Sequence, residues 1–404
     1  MTSAATLSVD GGLPVREKPL PPWPHFDEEQ VEAAAAVLAS GKVNYWTGPE
    51  GGAYEAEFAA LCRREHGLAV ANGTVALELV VTALGIGPGD DVVVTPRTFI
   101  ASVACVVAAG ARPVFADVDP ISQAITAENI EAVLTPQTRA VIPVHLGGWP
   151  ADMPAIVELA AAHGFEVIED AAQAHGASVD GLPVGSFGSA AAFSTCQDKI
   201  ITTGGEGGVV VTSDADLWGR MWSERDHGKD FAAVHAPDHA PGFRWVHHRF
   251  GTNARLTEVQ AALGRIQLRR LPQWLALRRR NAAILDAACA DVPGLRVTEP
   301  PERIGHAYYK HSVFVRPEGL RPGWDRDRVM EAINAEGIPC YSGSCPEVYL
   351  EKAFDARFRP PVRLPVAREL GETSLMFLVH PTLEPEDMEH AAAAITKVMA
   401  HASA

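Results

Sequence analysis

Between residues 67 and 213 the chain alternates short, nearly continuous apolar runs with longer stretches of helical periodicity. The runs are "GLAVAN", "DVVVTP", "RPVFADV", "RAVIPVH", "FEVIED", "AAAFST" and "GGVVVTS". Their apolar residues do not alternate with polar ones, as in strands covered on both faces. Between the early runs lie the helical segments "TVALELVVTALGI", "IASVACVVAAG", "ENIEAVL" and "MPAIVELAAAHG". Strand–helix alternation of this kind predicts an α/β fold with a parallel sheet and helices on both faces. Polar residues close several runs: Thr95, His145, Glu169 with Asp170, and Ser194. Ligands of open α/β sheets sit outside the carboxyl ends of the strands, so these residues are expected to face one crevice.

From Leu256 the pattern changes. "LTEVQAALGRIQLRRLPQWLALRRRNAAILDAAC" has apolar residues at helical spacing and little strand character. Pro272 is expected to kink or split it, because proline lacks the helical N–H donor. The remainder mixes a strand ("YYKHSVFVRP"), a helix ("RDRVMEAINAEG"), loops at "EGLRPGWDRDR" and "RFRPPVRLP", and a final helix ("EPEDMEHAAAAITKVMA"). The predicted organisation is a large domain over residues 1–270, with an N-terminal arm, and a smaller α+β domain over residues 271–404. Internal repeats are not visible.

Length supports two units, since 404 residues exceed one ordinary core. Apolar residues make up 47% and charged residues 21%, a folded chain's composition. A net charge of −16 argues against nucleic acid as a partner, which needs a basic face. It leaves room for a phosphorylated small molecule in a local pocket. The six cysteines form no CxxC pair, and their spacing suits neither a metal site nor a disulfide framework. Scattered reduced thiols suggest the cytoplasm. No signal peptide is expected from "MTSAATLSVDGG", and the apolar run from Phe99 to Ala111 is too short for a membrane span.

Four segments carry candidate chemistry. In "ANGTVALEL" a strand runs into Asn-Gly-Thr and a helix, whose free N–H groups, with Gly73 for close approach and the Thr74 hydroxyl, can hold a phosphate; alone it reads as an N-cap. In "EDAAQAHG", Asp170 ends a buried strand, where a carboxylate is costly unless paired, and a cationic ring nitrogen is one such partner; alone it reads as a helix N-cap. Gln173, three residues on, can offer an amide donor to the same ligand. In "TPRTFIAS", Phe99 can belong to the core or stack on a flat ring. In "FSTCQDKIITTGGEGG", Lys199 sits between a strand and a glycine-rich turn. Together these describe a planar, cationic, phosphorylated aromatic held beside a lysine. Pyridoxal 5'-phosphate meets all of these terms, with Lys199 forming its Schiff base and Asp170 keeping the pyridine nitrogen protonated.

The ordered motifs "NGTVALEL", "GARPVFADVD", "PVHLGGWPADM", "VIEDAAQAHGA", "GSFGSAAAFS" and "TNARLTEVQAALGRIQL" resemble the DegT/DnrJ/EryC1/StrS sugar aminotransferase family. The resemblance is strongest over residues 15–290. It implies fold type I of the pyridoxal phosphate enzymes, with a mostly parallel seven-stranded sheet flanked by helices. It also implies a homodimer with shared active sites. By resemblance, Lys199 is the catalytic Schiff-base lysine and Asp170 the catalytic carboxylate on the pyridine nitrogen. Gln173 lies beside the phenolic oxygen, Phe99 is the stacking aromatic, and Gly73, Thr74 and Ser194 hold the phosphate. Asn253 resembles the asparagine donated by the neighbouring subunit. Thr195 departs from the family, where Phe commonly follows this serine, and "TTGGEGG" is one residue longer than usual. Some dehydrating relatives replace the lysine with histidine, so Lys199 favours transamination.

The expected activity is ping-pong transfer of an amino group from glutamate or glutamine to a keto-sugar, usually nucleotide-linked, in amino-sugar or natural-product biosynthesis. Alternatives are a keto-cyclitol (scyllo-inosose-type) acceptor, a lyase similar to aminohydroxybenzoate synthase, and a non-catalytic binding protein of the same fold. A nicotinamide dehydrogenase is disfavoured, because "GIGPGD" follows a helix and precedes a strand, the reverse of a dinucleotide fingerprint. Residues 337–354 fall where family members contact substrate. Tyr309, His311 and His380 read more readily as structural than as substrate contacts.

Overall fold

The computed structural model describes residues 6–238 and 241–404; the first five residues of the N-terminal arm lie outside the described residues. All seven expected strands form, and they join in one sheet. Its spatial order is His66–Val70, Gly208–Thr212, Ala190–Ser194, Glu166–Asp170, Thr138–Ile142, Asp91–Val94, Arg112–Phe115. Only Gly208–Thr212 runs against its neighbours; the others are mutually parallel where they pair. This is the mostly parallel α/β sheet expected.

The continuous apolar runs are explained by the layers on either side. Val92 and Val94 enter one core with the helices Gly73–Ala83 and Ala101–Ala108, while Val93 enters a second core with the helix Met153–His163. Leu68 and Val70 likewise face the first core, and Ala69 faces a third built around Phe58 and Phe193. Successive strand residues point to opposite faces, so a sheet covered on both sides needs apolar residues at every position.

A second, antiparallel sheet orders Leu295–Val297, His311–Val315, Ser374–Phe377 and Cys340–Tyr341. The helices Arg326–Ala335 and Pro385–Ala402 supply its core. The helix Glu258–Cys289 ties the two sheets together. Leu271 and Leu275 pack in the core around Phe58, and Leu285 and Cys289 in that of the small sheet. It runs unbroken through Pro272, where a kink or split was expected. The residues just before the proline are clamped to neighbouring helices by the pairs Arg265–Glu50, Arg265–Glu57 and Arg270–Asp27, and buried residues pin the helix on both sides. One missing backbone hydrogen bond does not outweigh that packing.

The N-terminal arm bridges the same two regions. Leu7 is buried in the small-sheet core, Ser8 and Val15 N–H groups donate to Glu336, and Arg16 pairs with Asp387 at 2.8 Å. Further along, Trp23 Nε1 donates to the backbone carbonyl of Lys199 at 2.9 Å. The arm therefore anchors in one core and ends at the lysine.

His175 sits between Phe58 and Phe193 with neither ring nitrogen hydrogen-bonded, and burial pushes its pKa down to about 3. Burial does the same to His380. An unfolded histidine titrates near 6.5, so the unfolded chain binds more protons between about pH 6.5 and 3. Stability therefore falls as pH drops through that window. Urea midpoints are expected to be lower at pH 5 than at pH 7.5. His175→Leu should remove on the order of 2 kcal/mol of that difference; an unchanged pH gap would contradict the assignment.

Candidate active site

The carboxyl ends of the large-sheet strands open into one cleft of about 840 Å³. Gly73, Thr74, Phe99, Asp170, Gln173, Ser194 and Lys199 all line it. Seven of the eight residues singled out from sequence thus converge. Asn253 does not join them: it is exposed, on an extended segment bridged to Asp226. Thr95, His145 and Glu169 also lie outside the cleft lining, contrary to expectation. The two-residue period of a strand explains Glu169, which points away from Asp170. It accepts N–H bonds from Gly185, Phe187 and Gly188 and faces His145 Nε2 at 3.3 Å. That pair braces the loop at residues 185–188.

Asp170 is 5% exposed. Ser102 Oγ donates to its Oδ2 at 2.6 Å and Ala172 N–H to its Oδ1 at 3.1 Å. Burial pushes its pKa above the usual carboxylate range, against the pull of these donors. Among the described residues it has no ion-pair partner. Gln173 Oε1 accepts from Gly147 N–H at 2.8 Å, which leaves its NH₂ group to face the cleft. Phe99 is 65% exposed, an aromatic surface left open at the cleft wall.

The helix Gly73–Ala83 begins at the cleft. Asn72 caps it by accepting from Val75 N–H at 2.9 Å. The Gly73 and Thr74 N–H groups have no acceptor among the described residues and stand at the positive end of the helix dipole. A Cβ on Gly73 would lie 2.6 Å from the Ser194 Cβ. Only glycine lets this helix start approach the strand end that carries Ser194.

Around Lys199 the structure adds residues that sequence reasoning did not assign. The Tyr309 hydroxyl donates to Asp198, and Lys199 Nζ stands 3.4 Å from the Tyr309 hydroxyl and 3.8 Å from Asp198 Oδ1. Burial alone would raise the Asp198 pKa, but the Lys199 charge and the Tyr309 hydroxyl hold it below the usual value. Burial and Asp198 push the Tyr309 phenol up, so it stays protonated. Lys310, next in sequence, also lines the cleft, and burial lowers its pKa to about 8. In sequence Tyr309 reads as structural, because a lone tyrosine before a strand carries no site signal. Of the other two, His311 pairs with Asp286 at 2.7 Å and His380 stacks on Trp23; neither lines the cleft. The Thr195 departure has a local reason. Its hydroxyl meets that of Thr203 at 2.8 Å, and its N–H donates to Gly207 O, closing the loop that carries Lys199.

These residues fit pyridoxal phosphate. The Gly73 cradle and its free N–H groups suit a phosphate, buried Asp170 lacks the cation a pyridinium supplies, the open Phe99 ring suits a flat partner, and Lys199 supplies the amine. Fold and cleft define a pyridoxal phosphate-dependent aminotransferase of fold type I. The chain belongs to the DegT/DnrJ/EryC1/StrS aminotransferase family, matched over residues 24–396. It is 36% identical to an L-glutamine:2-deoxy-scyllo-inosose aminotransferase of Streptomyces kanamyceticus, over 98% of each chain. It is 38% identical to a UDP-N-acetyl-3-dehydro-α-D-glucosamine 3-aminotransferase of Acidithiobacillus ferrooxidans, over 87% of this chain and 89% of that one. An aminotransferase structure from Psychrobacter cryohalolentis superposes with a TM-score of 0.93 at 52% identity, covering 95% of this chain and 99% of that one.

Gly73→Ala tests the cradle. The added methyl must displace Ser194, an overpacking effect of about 1–3 kcal/mol. Pyridoxal phosphate affinity, measured by equilibrium dialysis, is expected to fall about tenfold or more; wild-type affinity would contradict the close approach.

Proposed function

We propose that the protein transfers the α-amino group of L-glutamine or L-glutamate to the carbonyl of a keto-sugar, usually nucleotide-linked. The observation that carries this reading is the convergence of Lys199, Asp170, Gln173 and Phe99 in one cleft. The acceptor class is supported by the relatives, one of which acts on a nucleotide-linked keto-sugar. The keto-cyclitol alternative is supported by the S. kanamyceticus relative, whose match spans 98% of both chains.

The roles follow from position. Gly73 and Thr74 N–H groups and the Ser194 hydroxyl hold the cofactor phosphate. Phe99 stacks on the ring, and Gln173 offers its NH₂ group to the phenolic oxygen. Pyridoxal phosphate, when bound, supplies an aldehyde that carries the amino group and a ring that accepts an electron pair. Asp170 keeps a proton on the ring nitrogen; its own pKa, raised by burial in the free protein, falls once a cation is beside it. Lys199 Nζ is the amine that would hold the aldehyde; once freed by the donor it is placed to take the donor's α-proton as general base and to deliver it as general acid to the carbon that was the aldehyde. Tyr309 and Asp198 fix the direction of Nζ during that exchange. Tyr309, Asp198 and Lys310 crowd the lysine and limit the water that reaches it.

The active unit is a homodimer in this reading. Asn253 lies outside its own chain's cleft, on a segment next to exposed Phe243, Trp245 and Phe250, the last 99% exposed. Contiguous exposed aromatics mark an interface, and a second copy covering them would bring Asn253 to the neighbouring phosphate. A cytoplasmic location is supported by six unpaired thiols, and cell fractionation checks it. No helix among the described residues is long and apolar enough to cross a membrane.

One experiment tests both the lysine and the shared site. Wild-type protein should move labelled α-nitrogen from L-glutamine to a nucleotide keto-sugar or a scyllo-inosose-type ketone, read by mass spectrometry. Lys199→Ala and Asn253→Ala should each be strongly impaired alone. Mixed and re-equilibrated, they should regain activity, because the mixed dimer holds one site with both wild-type residues. Full activity of Lys199→Ala would overturn the mechanism; no recovery on mixing, with mixed dimers formed, would overturn the shared site.

A further inference from the structure

The cleft contains a cation that none of these roles employs. Arg97 follows the strand Asp91–Val94, lines the cleft and is 1% exposed. Its Nη2 donates to Gln123 Oε1 at 2.8 Å, while Nε and Nη1 are buried without a partner. Among the described residues no carboxylate forms an ion pair with it. A buried guanidinium without a counter-charge is expensive, and burial lowers its pKa to about 10, which leaves it charged at neutral pH.

The surroundings hold this cation in place. Gln123 adopts φ 63°, a left-handed backbone that non-glycine residues seldom take. Its N–H donates to Asp119 O at 2.9 Å, and Asp119 Oδ1 accepts from the Ile121 and Ser122 N–H groups. A strained residue stabilised by its own turn thus offers its amide oxygen to Arg97. From the other side, Val348 N–H donates to Pro96 O at 2.8 Å and docks the segment that lines the cleft with Gly343, Ser344 and Cys345. The nearby Arg326 is not free to compete for a ligand, since its Nη1 is committed to the Ser374 carbonyl at 2.9 Å.

We propose that Arg97 binds a carboxylate of a substrate through its unused N–H groups. The inference rests on the aminotransferase reading, in which every turnover brings a carboxylate into this cleft on the amino donor. The same chemistry can also come from the acceptor, if the keto-sugar is a uronic acid. The phosphate of the cofactor has its own site at Gly73 and Thr74, so it is not the counter-charge Arg97 lacks. An Arg–carboxylate contact is charge-assisted and directional, and a Lys cannot reproduce the planar donor set.

The test uses cofactor-loaded wild-type protein, Arg97→Met and Arg97→Lys. Folding is checked by thermal melting, and Arg97→Lys serves if Arg97→Met does not fold. The donor arm measures the concentration of L-glutamate that half-saturates the loss of the cofactor's absorbance band. The acceptor arm measures calorimetric affinity for UDP-glucuronate against UDP-glucose. Removing the guanidinium is expected to weaken one carboxylate ligand about tenfold to a hundredfold, with a smaller loss in Arg97→Lys. A loss confined to L-glutamate assigns Arg97 to the donor carboxylate. A loss for UDP-glucuronate and not UDP-glucose assigns it to an acceptor carboxylate. Unchanged affinity in both arms overturns the proposal, as does an equal loss for UDP-glucose, which would place the diphosphate there. If wild-type protein shows no spectral response to any amino acid, the aminotransferase reading has failed, and the calorimetric arm still judges Arg97.

Discussion

The site depends on one electrostatic constraint: Asp170 is a carboxylate buried at the end of a strand, with no cation paired to it among the described residues. Ser102 and Ala172 supply hydrogen bonds, but burial still raises its pKa. A buried charge in that state is unfavourable until a positive group arrives. The sheet makes the position possible, because Asp170 is the last residue of a strand in which Val167, Ile168 and Glu169 are buried before it. The adjacent strand, Ala190–Ser194, carries the serine and, five residues on, Lys199. Asp170, Ser194 and Lys199 are therefore positioned by two neighbouring strands, and Gly73 by the strand His66–Val70 of the same sheet, where a tolerance of a fraction of an ångström can be held.

The second sheet and the arm serve the same centre from outside. Tyr309 and Lys310 enter the cleft just before the strand His311–Val315, and Trp23 holds the Lys199 carbonyl after an arm anchored by Leu7, Arg16 and Glu336. Packing in the core of the second sheet is in this way coupled to the direction of the lysine. The cations of the cleft are handled differently from one another. Lys199 leans on Asp198 and Tyr309, Lys310 is held near neutral titration by burial, and Arg97 is kept charged with Gln123 as its hydrogen-bond partner and no ion-pair partner among the described residues. An overall charge of −16 gives no hint of this local concentration of positive groups.

Much of this was legible in the chain itself. Every large-sheet strand read as an apolar run because both faces are covered, and of the strand-end polar residues Asp170 and Ser194 line the cleft while Thr95, His145 and Glu169 do not. The reading failed where adjacent residues face opposite ways. Glu169 and Asp170 look equivalent in sequence, but a two-residue period sends the first into a brace with His145 and the second to the cleft. Pro272 was expected to interrupt a helix that flanking ion pairs and buried side chains keep whole. Arg97, Tyr309, Lys310 and Asp198 were missed because their significance lies in contacts between segments more than a hundred residues apart, or in the absence of a partner. Neither leaves a local pattern.

The claim that Asp170 sustains the cofactor's electron-accepting capacity is tested most directly by Asp170→Asn. The amide keeps the shape and can keep a hydrogen bond to Ser102, but it removes the charge. With cofactor binding verified by dialysis, the rate of amine transfer from L-glutamate is predicted to fall by about a hundredfold or more, the scale of losing a preorganised charge. Transfer at the wild-type rate by cofactor-loaded Asp170→Asn would contradict the account.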